Sequence, residues 1–218
     1  MRLYPATKAA WLRFALILAV SAGALWSFHL LDLAVIRSRW SPQEGDVVFQ
    51  SLPHGDLVDA IEGVSASPFS HCGVVVRGPD GTWRVIEAIG DVHETPLNLW
   101  LLRGRGLGVA VFRWRPGAMT DTAAFVAALR RYVGRPYDMR YRMDDEAIYC
   151  SELVFKGYRD ATGRPAGKVE QLGTLNWRPF EPFIRDLEGG KLPLDREMIT
   201  PRALSEAEQL APLYRHNL

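Results

Sequence analysis

The fold is decided by residues 147–155, which read Ala147-Ile148-Tyr149-Cys150-Ser151-Glu152-Leu153-Val154-Phe155. Apolar residues recur after the cysteine at spacings of about three and four, which predicts a helix that ends near Gly163. Cys150 is then expected in or just before the first turn of this helix. Unpaired N–H groups and the helix dipole favour a thiolate there, and the thiolate is the nucleophilic form of cysteine. The alternative is a buried structural cysteine, so the case for a nucleophile depends on the surrounding residues.

Composition limits the class of protein. The 218 residues are 48% hydrophobic and 23% charged, which suits one globular domain with an additional segment. A net charge of +1 and the lack of any Lys/Arg-rich block in the sequence argue against a nucleic-acid partner. The 2 cysteines exclude a disulfide scaffold and fit no zinc-ligand spacing, so we expect neither a metal nor another cofactor.

The additional segment is N-terminal, over residues 1–40. Its apolar run from Phe14 to Leu31 is at the lower limit of what spans a bilayer. Ala22-Gly23-Ala24 is compatible with signal-peptide cleavage, but the run continues beyond it, so we favour an uncleaved membrane anchor over a cleaved signal. Either interpretation places residues 41–218 in the cell envelope, anchored to the inner membrane and facing the periplasm or secreted to the periplasm. The remaining alternative is a buried core helix of a cytosolic protein.

Residues 41–218 are predicted to form one α+β domain. Strands are expected over residues 45–50, 70–76, 82–88 and 109–114, and helices over residues 57–63, 120–132, 150–163 and 200–210. The clearest signal is the hairpin around Gly78-Pro79-Asp80-Gly81. If its ladder closes with Arg77 opposite Thr82, then His71 lies opposite Ala88, or opposite Glu87 after a shift of one residue.

A cysteine nucleophile needs a base, and the base needs a group that orients its ring. His71 stands at the start of an apolar strand, where its backbone would be held rigidly. Glu87 interrupts the apolar end of the partner strand, and a carboxylate there would orient the imidazole and stabilise its charged form. His93 follows shortly after the hairpin and is left open as an alternative orienting group.

Cys72 introduces a competing hypothesis, because extracytoplasmic proteins often join their cysteines in a disulfide. Side chains alternate along a strand, however. If His71 points at Cys150, we expect Cys72 to point to the opposite face of the sheet. The sequence therefore predicts two free thiols.

Five segments carry a resemblance to a known family, namely residues 45–49, 70–75, 85–88, 134–138 and 149–154. In this order they resemble the circularly permuted NlpC-like cysteine hydrolases of the YiiX/YebB-like branch, in which the histidine strand precedes the cysteine helix. The resemblance covers roughly residues 45–163, and residues 199–205 are similar to the C-terminal element of the family. Two features depart from the pattern: Cys72 replaces a more usual aliphatic residue, and residues 164–193 carry no feature of the family.

The resemblance implies a circularly permuted papain-like fold, with a central antiparallel sheet packed by helices. It also implies Cys150 as nucleophile, His71 as base and Glu87 as the orienting group. Tyr137 stands where related enzymes keep a tyrosine that lines the active site. Tyr149 and Ser70, which precede the cysteine and the histidine, are further candidates for substrate binding.

These observations predict an extracytoplasmic cysteine hydrolase of the peptidase or amidase type. Location and family suggest a peptide of the cell wall (peptidoglycan) as its substrate. The first alternative is a lipid acyl hydrolase or acyltransferase with the same nucleophile, for which the apolar side chains of Phe69, Leu97, Leu99 and Trp100 would be suited. A non-catalytic lipid-binding module and a structural envelope protein are the remaining alternatives.

Overall fold

The computed structural model describes Trp11 and residues 30–218. It divides the chain into two units, Met1–Arg39 and Trp40–Leu218, which are treated separately. In the first unit, residues 30–39 are helical. The predicted anchor or signal, with its hydrophobic helix, falls almost entirely outside the described residues. Within the described part of the chain, every helix is too short or too polar to cross a membrane.

The second unit is built around a six-stranded antiparallel sheet, which confirms the predicted α+β class and central antiparallel sheet. Its strands lie in the spatial order β4-β3-β2-β1-β5-β8, and two further short strands, β6 and β7, form a separate ribbon. The bounds are β1 (Val47–Gln50), β2 (His71–Arg77), β3 (Trp83–Ile89), β4 (Asp91–Pro96), β5 (Val109–Trp114), β6 (Glu170–Gln171), β7 (Glu197–Met198) and β8 (Leu210–His216).

Six α-helices accompany the sheet in residues 40–218, the described part of this unit. They are α1 (Asp56–Ser65), α2 (Leu97–Arg103), α3 (Thr122–Arg130), α4 (Cys150–Thr162), α5 (Glu181–Leu187) and α6 (Pro201–Ser205). As predicted, α4 begins at Cys150 and is followed by Gly163, whose φ of 72° terminates it in the left-handed region. The predicted cap at Thr200 also forms, since its hydroxyl accepts a hydrogen bond from the N–H of Ala203 at 3.0 Å.

The sheet is covered on both faces, and alternation along β2 assigns its side chains to one or the other. Cys72, Val74 and Val76 belong to the hydrophobic core shared with α4. His71 belongs to the opposite face, where its ring lies against Trp100 of α2 with the ring centroids 6.3 Å apart. Helix α4 therefore covers one face of the sheet and α2 the other.

The predicted register of the β2–β3 hairpin was wrong by one residue. Gly78 joins the ladder, because its N–H donates to the carbonyl of Thr82 at 2.9 Å, and this leaves a loop of only three residues. Arg77 consequently pairs with Trp83 rather than Thr82, and Glu87 pairs with Gly73. His71 and Glu87 nonetheless lie at the same end of the hairpin. Glu87 pairs with Gly73, and His71 precedes Gly73 by two residues, so its side chain lies on the same face of the sheet.

The sequence analysis missed β4, α2 and β8, and also the shorter β6, α5 and β7. The last predicted helix was also too long, since α6 ends at Ser205 and Leu210 already begins β8. Residues 164–193, which showed little periodicity, contain β6, two single turns of 3-10 helix and α5. The missed strands β4 and β8 are the two edge strands of the central sheet.

Candidate active site

The start of α4 is held by hydrogen bonds on both sides of Cys150. The N–H of Tyr149 donates to the carboxylate of Glu152 at 3.2 Å, and the Tyr149 hydroxyl accepts a bond from the N–H of Ile199 at 2.9 Å. Glu152 also forms an ion pair with the buried Lys156 at 2.8 Å. These contacts fix the first turn of the helix, so Cys150 has a defined position at its N-terminus.

His71 and Glu87 form a buried pair beside this cysteine. His71 Nε2 donates to Glu87 Oε2 at 2.5 Å, and both side chains are almost fully buried. The carboxylate accepts two further hydrogen bonds, one from the Thr95 hydroxyl at 2.5 Å and one from the guanidinium of Arg103. Because Nε2 is engaged by Glu87, Nδ1 is the ring nitrogen left to face Cys150.

His93, the alternative orienting group, occupies a different position. Its Nδ1 lies 2.7 Å from Asp91 Oδ1, and its Nε2 is 4.0 Å from Glu87 Oε1. Its side chain is 40% exposed, whereas that of Glu87 is 0% exposed. The structure therefore brings Glu87, and not His93, into contact with the His71 ring.

The pKa values of His71 and Glu87 move in opposite directions. Burial alone would lower the pKa of His71, but the hydrogen bonds and negative charges of Cys150 and Glu87 outweigh it and raise the pKa to about 9. Burial alone would raise the pKa of Glu87, but His71 and then Arg103 hold it at about 2. The imidazole is thus favoured in its protonated form and the carboxylate in its ionised form at neutral pH.

Cys72 contributes to this site, contrary to prediction. A hydrogen bond from the Cys72 thiol is the strongest effect on Cys150, and together with His71 it lowers the pKa of Cys150 well below its usual value despite burial. Burial and the proximity of Cys150 raise the pKa of Cys72 instead. His71 and Cys72 do lie on opposite faces of β2, as alternation predicts. Cys150, however, lies at the end of this strand, within reach of both residues. Both cysteines are free thiols in the structure.

A cleft with a volume of about 220 Å³ opens beside the pair. Of the predicted residues, Ser70, His71 and Tyr137 line it. The Ser70 hydroxyl accepts a hydrogen bond from the N–H of Leu52 at 2.8 Å, so this residue also fixes the neighbouring loop. Tyr137 shares a hydrogen bond of 2.9 Å with the hydroxyl of Tyr141, and burial, followed by the charge of Cys150, raises the pKa of Tyr137 well above its usual value.

Tyr149 does not line the cleft. Its side chain is fully buried, its hydroxyl is engaged by Ile199, and its ring stacks on Tyr141 with the centroids 4.3 Å apart. In this structure its contacts support the start of α4 and the aromatic wall behind Tyr137.

Sequence reasoning missed Thr95, Arg103 and the contribution of Cys72. Arg103 ends α2, a helix that the sequence analysis did not predict, and its guanidinium contacts the Glu87 carboxylate. The sequence of β4 gave no clear signal, because Glu94 is polar as well as Asp91, His93 and Thr95, and only Val92 is fully buried.

Within the part of the chain that the structure describes, no group of three or more His, Cys, Asp or Glu side chains is arranged to hold a metal ion.

Comparisons with known proteins agree with this geometry. Residues 41–214 match the sequence model of a family described as "Permuted papain-like amidase enzyme, YaeF/YiiX, C92 family". The uncharacterized protein YiiX of Escherichia coli (strain K12) is 31% identical over 174 residues, which cover 78% of this chain and 85% of YiiX. A crystal structure described as metalloprotein yiiX from Escherichia coli O157:H7 superposes with a TM-score of 0.76 at 30% identity, and covers 81% of this chain and 99% of that one. The resemblance stated from the sequence is thereby confirmed.

Proposed function

Since the chain belongs to the permuted papain-like amidase family C92 (YaeF/YiiX) and is a cysteine hydrolase of the amidase type, we propose that Cys150, His71 and Glu87 are its catalytic triad. The observation that carries this proposal is the buried contact of 2.5 Å between His71 Nε2 and Glu87 Oε2. The same His71 is among the groups that lower the pKa of Cys150 at the start of α4. A cysteine, a base and an oriented carboxylate are the groups that thiol-dependent acyl transfer requires.

The mechanism follows from these positions. The Cys150 thiolate attacks the carbonyl carbon of an amide, and a sulfur–carbon bond forms while the negative charge moves to the carbonyl oxygen. N–H groups in the first turn of α4 lack intrahelical acceptors, so they are available to stabilise this oxyanion. His71 then gives its proton to the leaving nitrogen as the carbon–nitrogen bond breaks. Water, deprotonated by His71, hydrolyses the thioester and releases a carboxylic acid.

The test is the pH dependence of alkylation by iodoacetamide, located by peptide mass mapping. We expect rapid labelling of Cys150 at neutral and acidic pH in the wild type, because His71 stabilises the thiolate. In His71→Ala, Cys150 should no longer be labelled rapidly at acidic pH. Cys72 provides an internal control, since its pKa is raised and it should stay unlabelled at neutral pH. Slow labelling with an ordinary thiol profile, equal in both proteins, would contradict the proposal.

The location and the substrate are further parts of the proposal. The apolar N-terminal run supports a membrane-attached or periplasmic enzyme, which a periplasm-specific reporter enzyme fused to the C-terminus would test through its activity in intact cells. In that compartment the candidate substrates are cell-wall peptides and acylated lipids. The apolar surface beside the cleft is the specific observation that favours the second class.

A non-catalytic lipid-binding module is the alternative of another kind. It predicts that Cys150→Ser retains the biological effect of the protein, whereas a thiol hydrolase predicts its loss. Comparing strains that carry the wild type and Cys150→Ser at equal protein levels distinguishes the two.

A further inference from the structure

A second cavity lies next to the cleft and is almost wholly apolar. Its walls come from α1, α5 and the segments around β6 and β7, and its volume is about 80 Å³. The side chains that form it include Ala60, Val64, Leu172, Ile184, Leu187 and Met198. A narrow cavity of this composition suits a linear hydrocarbon chain better than a polar group.

The cavity adjoins the cleft that contains His71. Leu57, Ile61 and Met139 line both of them. Leu57 and Ile61 are four residues apart on α1, so they lie on one face of that helix. A chain that enters from the cleft would therefore run along α1 into the apolar cavity.

Of the three charged residues at the cavity wall, Glu188 and Arg196 pair with each other, and Arg140 accepts a bond through its backbone carbonyl. Arg196 Nη2 donates to Glu188 Oε2 at 3.0 Å, and Arg196 Nη1 donates to the carbonyl of Arg140 at 2.6 Å. A charged peptide side chain placed among the apolar side chains of this cavity would lose its hydration, which is costly. A hydrocarbon would gain free energy from the same transfer.

We infer that the substrate is an acylated amine or ester whose linear acyl chain occupies this cavity while its carbonyl carbon is presented to Cys150. The inference rests on the proposed thiol hydrolase and names its substrate class. Acylation then forms the bond between Cys150 Sγ and the carbonyl carbon and breaks the bond to the amine nitrogen or alcohol oxygen, which leaves with a proton from His71.

The experiment uses p-nitrophenyl esters from acetyl to octanoyl, all with the same leaving group. The release of p-nitrophenolate gives kcat/KM for acylation, and intact mass identifies the acyl-enzyme. Each rate is divided by that of the same ester with N-acetylcysteine, which removes intrinsic reactivity. We expect an increase of up to about fourfold per buried methylene, equivalent to about 0.8 kcal/mol, and an octanoyl-to-acetyl ratio of at least about 100.

A matched pair of variants locates the effect. Leu187→Glu places a charge in the wall of the cavity and should reduce the octanoyl-to-acetyl ratio at least about tenfold. Leu213→Glu places the same charge on β8, outside both the cleft and the cavity, at a side chain that is already exposed. It should leave the ratio unchanged. If circular dichroism shows that Leu187→Glu is unfolded, Ala60→Met, which narrows the cavity, takes its place.

The outcomes separate this inference from the proposed function. Acylation of Cys150 at rates that vary less than threefold across the series would overturn the inference and leave the triad intact. Turnover of muropeptides together with such a flat series would assign the substrate to cell-wall peptides. Failure of every ester to acylate Cys150 would overturn the proposed function and the inference with it.

Discussion

The two faces of the sheet at the start of β2 support the proposed thiolate–imidazolium pair in different ways. On the face of α4, Cys72 supplies a neutral hydrogen-bond donor to Cys150 within an apolar core. On the face of α2, Glu87 supplies a full negative charge to His71, and Arg103 and Thr95 hold that charge in place. One face therefore stabilises the anion through a dipole, and the other stabilises the cation through a countercharge.

This difference predicts unequal consequences when each face is altered. A carboxylate that contacts a buried imidazolium contributes more than a thiol donor does, because charge–charge interactions are strong where water is excluded. Substitutions on the Glu87 side should thus have larger effects on catalysis than substitutions on the Cys72 side.

The largest effect is expected for Glu87→Gln. The amide retains the shape of the side chain but removes the charge that stabilises protonated His71, so kcat/KM should fall by about 10²- to 10⁴-fold. His93→Ala is the matched control, because its ring lies 4.0 Å from the same carboxylate and is bonded to Asp91. It should change the rate less than about threefold. Loss of activity in His93→Ala with normal activity in Glu87→Gln would reverse the assignment.

The pH dependence sharpens the comparison on the cationic side. The raised pKa of His71 means that its stabilising contribution to the folded state is complete below about pH 6.5 and is lost as the pH rises through about 9. The lowered pKa of Glu87 means that its contribution is present above about pH 4.5 and is lost as the pH falls towards about 2. Between these limits both groups keep their charges.

We therefore expect kcat/KM for an amide or ester substrate to decline above about pH 9, and the free energy of unfolding to decrease between about pH 6.5 and pH 9. Urea unfolding at pH 7 and pH 9.5 measures the second effect. In His71→Gln the free energy of unfolding should fall less between pH 7 and pH 9.5, because the contribution of His71 is absent. An equal pH dependence in both proteins would show that His71 is not the titrating group.

The sequence was sufficient for the residues whose position depends on local pattern. The start of α4 at Cys150 follows from apolar spacing, and the hairpin that carries His71 and Glu87 follows from its turn residues. The two edge strands, β4 and β8, were not predicted. In β4 polar residues fall on both faces, and in β8 Pro212 interrupts the run, which argues against a strand.

The contributions of Arg103 and Cys72 depended on tertiary placement. Arg103 reaches Glu87 only because α2 packs across β3 and β4, which no local spacing reveals. The alternation of His71 and Cys72 correctly assigned each to a face. It gave no information on how far along the strand Cys150 would lie, so the conclusion that Cys72 faces away from the nucleophile was wrong.

A smaller effect is expected on the anionic side. Cys72→Ala removes the thiol donor and should raise the pKa of Cys150, because a hydrogen bond to the thiolate is lost. Alkylation of Cys150 at pH 6 should slow roughly tenfold, as expected for a hydrogen bond to a charged group. Cys72→Ser, which retains a donor of similar size, should stay closer to the wild type. Equal slowing in both variants would point to altered packing instead of a lost donor.

The smallest effect should come from the groups that hold Glu87 without touching His71. Thr95→Val preserves the shape of the side chain but removes one hydrogen bond to the carboxylate, which costs about 1 kcal/mol and should reduce kcat/KM about fivefold. Arg103→Gln removes a charge that is partly exposed to solvent and thus partly screened, so a similar few-fold loss is expected. Both variants should also raise the pKa of Glu87, which moves the acidic limit of the activity profile upwards. If either variant lowered kcat/KM as much as Glu87→Gln does, then the position of the Glu87 carboxylate, which Thr95 and Arg103 fix, would matter as much as its charge. The difference between the α4 face and the α2 face would then lie in how each positions its groups, and not in a dipole on one face and a charge on the other.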